Sequence, residues 1–143
     1  MTRAQELLLR AGWRSDRHVD VERMVAELDV AGYSVSLAAR EFLEVFSGLV
    51  ITDEEGRRAL HIDGHQAARH ADPDWCEAYA EGIGRAITPV GEYSHMTLVI
   101  DETGAFWGGF DAEYGLMGEN IVDVIRALLI EPDSRPLDRV VPD

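Results

Sequence analysis

The chain has 143 residues, 46% of them apolar, with 27 acidic and 13 basic residues and a net charge of −14. That length predicts one domain able to bury roughly 70% of its unfolded surface. No run approaches the roughly 18 consecutive apolar residues of a membrane span, and the acidic balance argues against binding a phosphate backbone. In chain order, Thr2 to Ala11 is predicted as a first helix. Thr2 and Gln5 have capping-box spacing, Ala4, Leu7, Leu8 and Ala11 share one face, and Gly12 is the stop. Asp20 to Ala31 is predicted as a second helix, with Asp20 as its cap, Val21, Met24, Val25 and Leu28 as its stripe and Gly32 at its end. Ser36 to Leu49 is the predicted centre of the core. There Ala38, Phe42, Val45, Phe46 and Leu49 recur at helical spacing, Ser36 caps the start and Gly48 ends the helix.

Two hairpins are predicted next. Leu49–Ile51 and Arg58–Ile62 flank the turn at residues 53–56, and Met96–Ile100 and Ala105–Phe110 flank the turn at residues 101–104. Each turn is an acid, two residues and a glycine, the pattern of a type I turn closed by a left-handed residue. Met96, Leu98 and Ile100 alternate with Thr97 and Val99, which predicts a half-buried strand. Between the hairpins, Asp72-Pro73 opens a helix striped by Trp75, Tyr79 and Ile83, and a short strand is expected around Pro89-Val90-Gly91. Gly118 to Leu129 is the last helix, and the tail from residue 131 is expected to fray. Helices, then antiparallel hairpins, then a helix predict an α+β fold: a single domain over residues 1–143, with a mostly antiparallel sheet and the N-terminal and C-terminal helices packed on it.

No established catalytic pattern emerges from these residues. All 13 basic residues are arginine, which removes a P-loop lysine, a Schiff-base lysine and a Ser–Lys dyad. The glycines never spell a nucleotide-binding loop, so no cofactor is expected. His61, His65, His70, His95 and Cys76 are possible zinc ligands by type. Their spacing does not fit, because His61 falls on a strand and His65 and His70 are expected in a solvated loop, so no metal is expected. Ser94-His95 would point to opposite faces of a strand, and Cys76 reads as a small buried thiol. The carboxylates fall in turns or at helix starts, where they are solvated or capping. With one cysteine and an N-terminus that has charged residues among its leucines, a cytoplasmic protein is expected.

The charge carries more information. Residues 1–69 hold 12 acids and nine arginines, whereas residues 70–143 hold 15 acids and four arginines. Such a surface steers a basic partner inward. Phe106, Trp107, Phe110 and Tyr114 crowd together beside Asp111 and Glu113, as in a docking patch with an acidic rim. The competing reading places those aromatics in the core. The candidate partner-binding residues are Glu54, Glu55, Asp72, Asp74, Trp107, Asp111 and Glu113.

Leu8-Leu9 followed by Ala11-Gly12-Trp13, Arg17 and Asp20 resembles the opening of the third subgroup of the SUKH superfamily. Phe42-Leu43-x-x-Phe46-x-Gly48-Leu49 resembles its helix-to-strand motif, with Ser47 where a glycine is common. Pro89-Val90-Gly91, Leu98-Val99-Ile100-Asp101 with Gly104, and Gly118-x-Asn120 follow the same order. The resemblance implies a single α+β domain and an immunity protein of a bacterial polymorphic toxin system, which binds and blocks a cognate toxin, often a nuclease. It brings no catalytic residues. The acidic surface, rather than the resemblance, leads to the expectation that this toxin is a basic one. Two alternatives stand beside it: a regulatory or scaffold module of the same superfamily, and a small metal-dependent enzyme using the histidines.

Overall fold

In the computed structural model, which describes residues 2–94, 96–109, 114–130 and 139–140, seven antiparallel strands follow one another across a single sheet in chain order. The strands are β1 (Val50–Thr52), β2 (Ala59–Ile62), β3 (Ile87–Tyr93), β4 (Met96–Asp101), β5 (Phe106–Gly109), β6 (Tyr114–Gly118) and β7 (Arg139–Val140). Every strand therefore pairs with its neighbour in sequence. The helices are α1 (Arg3–Arg10), α2 (Glu22–Val30), α3 (Leu37–Phe46), α4 (Gly64–His70), α5 (Pro73–Ile83) and α6 (Ile121–Ile125), the last continued by a π-helical turn at Arg126–Ile130.

The capping chemistry works as predicted at three starts. Thr2 and Gln5 close a reciprocal capping box, Ser36 accepts from the Ala39 N–H, and Asp72 caps α5 with Pro73 in its first turn. Asp20 sits one residue too early to cap α2. Its carboxylate accepts from the Glu22 N–H at 3.0 Å, while the capping position is Val21, whose side chain makes no such bond. The buried face of α3 is Ala39, Phe42 and Leu43, rotated from the predicted stripe, so that Ala38, Val45 and Phe46 are only half-buried.

The sheet is sandwiched between two helical layers, and this places the core on both its faces. On one side Leu7, Leu8, Phe42 and Leu43 meet Ile51, Leu60, Leu98, Ile100 and Phe106, together with Val124, Ile125 and Leu128. On the other, Leu28, Tyr33, Cys76 and Tyr79 cover Ile87, Val99 and Trp107. Strand β4 is consequently buried along its whole length, and the half-buried prediction for it is corrected: helices pack on both sides.

Three further elements differ from expectation. Residues 64–70 form helix α4 rather than a loop, started by Asp63, whose carboxylate accepts from the His65 and Gln66 N–H groups. Strand β3 is seven residues long, and its pairing with β4 skips a residue between Pro89 and Gly91. That bulge tolerates a proline with no N–H to give. Gly118 ends strand β6, and α6 begins only after Asn120, which caps it. Within the tail, Arg139–Val140 pairs with Tyr114–Gly115, and residues 131–138 and 141–143 lie outside the described residues.

Candidate functional site

The predicted partner-binding residues fall in separate places. Glu54 and Glu55 occupy the β1–β2 turn. Asp53 builds this turn by accepting from the Arg57 and Arg58 N–H groups at 2.8 and 3.4 Å. Burial would raise the Asp53 pKa, but these backbone bonds outweigh it and lower it. Glu54 is taken by Arg3 of α1 at 2.8 Å, and Glu55 lies 3.7 Å from Arg57. The recess beside the turn, about 270 Å³, is lined by Arg3, Asp53, Glu54, Glu55, Arg57 and Arg58. Three acids there face three arginines, so the hairpin tip is electrically close to neutral.

Asp72 and Asp74 lie in the other helical layer, at the start of α5, and both are exposed. The Asp72 carboxylate accepts from the Asp74 N–H at 2.7 Å, and Asp74 adds a negative charge to the positive end of the helix. Asp111 and Glu113 lie outside the described residues, as do His95 and Phe110.

Trp107 is 9% exposed and packs in the smaller core beside Tyr79 and Val99. The structure thus places the Trp107 ring among the core residues, as in the competing reading of these aromatics. Its indole N–H instead donates to Asp101 at 2.9 Å. Asp101 is the acid that sequence reasoning misplaced as a solvated turn residue. It is 0% exposed. One carboxylate oxygen accepts from the Thr103 N–H (2.7 Å), the Thr103 hydroxyl (2.6 Å) and the Ala105 N–H (3.1 Å), and the other accepts from Trp107 and from Arg85 at 2.9 Å. Burial alone would raise its pKa, but the bonds from Thr103, Trp107 and Arg85 outweigh it and hold the carboxyl at about 2. A carboxylate held so low with every lone pair occupied is a structural pin, not a proton carrier. The signal in the sequence was Thr103 two positions on, combined with a tryptophan on the partner strand of the same hairpin.

The other chemical candidates are similarly committed. Burial first, and then the charge of Asp72, push the Cys76 thiol up to about 12, so it stays protonated at neutral pH and is a poor nucleophile. His65 and His70 sit on α4, but His65 pairs with Glu27 at 2.6 Å and His70 with Glu92. Among the described residues no group of three or more His, Cys, Asp or Glu side chains is placed to hold a metal ion. Ser94 lies in the β3–β4 turn with a left-handed φ of 55°.

A scan against protein-family models matches residues 2–131 to the SUKH-3 immunity protein model. The chain belongs to the SUKH-3 immunity protein family. The match covers every described element except β7. Neither the curated proteins nor the solved structures contain a match to the chain. As a family, SUKH-3 supports an immunity function and binding to a cognate toxin, and no helix among the described residues is long and apolar enough to cross a membrane.

Proposed function

We propose that this SUKH-3 protein neutralises a basic toxin domain, of the nuclease type, by docking against it and covering its working surface. The observation that carries the reading is the family match over residues 2–131. The net charge of −14 supports the choice of a basic partner, because a strongly acidic surface raises the rate of encounter with a cationic one. A nuclease must hold phosphates with arginine and lysine. Carboxylates can occupy those same groups through charge-assisted hydrogen bonds and so compete with the nucleic acid. In this reading Glu54, Glu55, Asp72, Asp74, Asp111 and Glu113 are the candidate contact acids, and the protein acts by occlusion, with no chemical step of its own. We place the encounter in the cytoplasm, where the free thiol of Cys76 is stable.

Co-expression tests this directly. The toxin-like product of the neighbouring gene is expressed alone and together with this protein, and growth and complex formation are followed. Rescue of growth with a stable, salt-sensitive complex is the expected result. A toxin that still kills, with no complex recovered, overturns the reading.

A further inference from the structure

Val30 closes α2 at 88% exposure and Leu37 opens α3 at 71%. Among the described residues these two are the most exposed large apolar side chains, and they bracket the same connection at residues 31–36. An exposed aliphatic residue means little singly, and what sets these two apart is that they flank one connection tied down from beneath. The connection is held from beneath. The Tyr33 hydroxyl reaches the Ala68 and Ala71 carbonyls at 2.8 and 3.0 Å, and the Thr88 hydroxyl donates to the Ser34 carbonyl at 2.7 Å. A Cβ at Gly32 would lie 3.6 Å from Pro73, so the Asp72-Pro73-Asp74 start of α5 abuts this turn.

The acids beside it are less compensated than those at the β1–β2 tip, where three acids face three arginines. Among the described residues no ion pair involves Asp72 or Asp74, and Asp29 is a third exposed acid, in the last turn of α2. Of the arginines on α2, α3 and α4, Arg23 pairs with Glu27 and Arg40 with Glu22 and Glu44, which leaves Arg69 at the end of α4 without an ion pair among the described residues. A pre-ordered connection carrying an exposed aliphatic side chain at each end, with exposed acids beside it, fits a protein surface that presents arginine or lysine together with apolar contacts. It repels nucleic acid and anionic lipid. Resting on the immunity reading, we infer that the turn between α2 and α3, with the start of α5, is the face that docks the basic toxin, and that Glu54 and Glu55 stand outside the interface centre.

The test uses the full chain and the toxin domain encoded beside it. Three double variants are compared with wild type: V30S/L37S, D72N/D74N and E54Q/E55Q. Asn at residue 72 keeps the helix cap while removing the charge, and melting temperatures check that all three fold. Expected are a Kd weakened about tenfold or more by V30S/L37S, a slower association with D72N/D74N, and little change with E54Q/E55Q. Hydrogen exchange on the complex should protect residues 30–38 and 72–77. If wild type binds the toxin but V30S/L37S and D72N/D74N bind equally well, or protection falls on the β1–β2 hairpin, the location is overturned while the immunity reading survives. No complex with wild type overturns both.

Discussion

Replacing Asp101 by Asn should cost about 3 kcal/mol at neutral pH, because the amide can satisfy only one of the two donor groups that the carboxylate satisfies. Its oxygen can keep the Thr103 and Ala105 bonds, but its NH2 then faces the Trp107 indole N–H and the Arg85 guanidinium, both donors. Arg85 is 44% exposed and can turn to water, whereas Trp107 is fixed in the core and loses its acceptor. An orphaned buried donor costs about 1–3 kcal/mol. Breaking a fully buried ion pair costs about 3–5 kcal/mol, an upper bound here because Arg85 is half in solvent. The pH dependence gives a second handle. The carboxyl sits at about 2 in the fold against 3.8 for free aspartate, so the unfolded chain takes up its proton first as the pH falls. The contribution, about 2 kcal/mol, is therefore complete above the unfolded value and is lost as the pH drops toward 2. Urea unfolding of wild type and D101N, followed by circular dichroism from neutral pH to about pH 2.5, measures both effects. The gap between the two proteins should narrow on acidification. A variant within about 1 kcal/mol of wild type at neutral pH, or a gap independent of pH, would refute the argument.

Gly91→Ala should destabilise by about 3 kcal/mol or more, since the new Cβ would meet the His61 carbonyl oxygen at 2.6 Å in the β2–β3 ladder, and thermal melts read this out. Gly108→Ala should cost less, because the atom it meets at 2.5 Å is the Sδ of the flexible Met96 side chain. Cys76, 7% exposed with its thiol pushed up to about 12, should react with iodoacetamide far more slowly in the native state than in urea, as mass spectrometry of timed aliquots would show. A double-mutant cycle on Arg3 and Glu54 should give less than about 1 kcal/mol, because both side chains are more than half exposed and the pair is screened.

The parts of the fold legible in the sequence were those with a local cause. Thr2, Ser36 and Asp72 announced their helices because capping needs one side chain and a nearby N–H. The turns closed by Gly56 and Gly104 announced the first and second hairpins, and both glycines take positive φ, 71° and 95°. Helix α4 left no stripe to read: seven residues contain only Ala67 and Ala68 as apolar side chains, behind a glycine. Strand β4 misled because burial of its second face by α5 is a tertiary fact that its own alternation cannot carry. Asp101 was only partly legible: Thr103 and Trp107 belong to its own hairpin, whereas Arg85 reaches it from outside that hairpin. Of the proposed docking face, Asp72 and Asp74 were visible as charges, but nothing in the sequence marks Val30 and Leu37, because tertiary packing decides which aliphatic side chains stay exposed.

The strand order has one further consequence. Because β2 and β3 are direct neighbours in the sheet, the chain between them, carrying α4 and α5, is an excursion that leaves and rejoins the sheet at adjacent points. Its outward residues can be exchanged between relatives without disturbing a single strand pairing. A lineage pursued by changing toxins could thus rewrite the acids at the start of α5 while its seven-strand frame stays untouched.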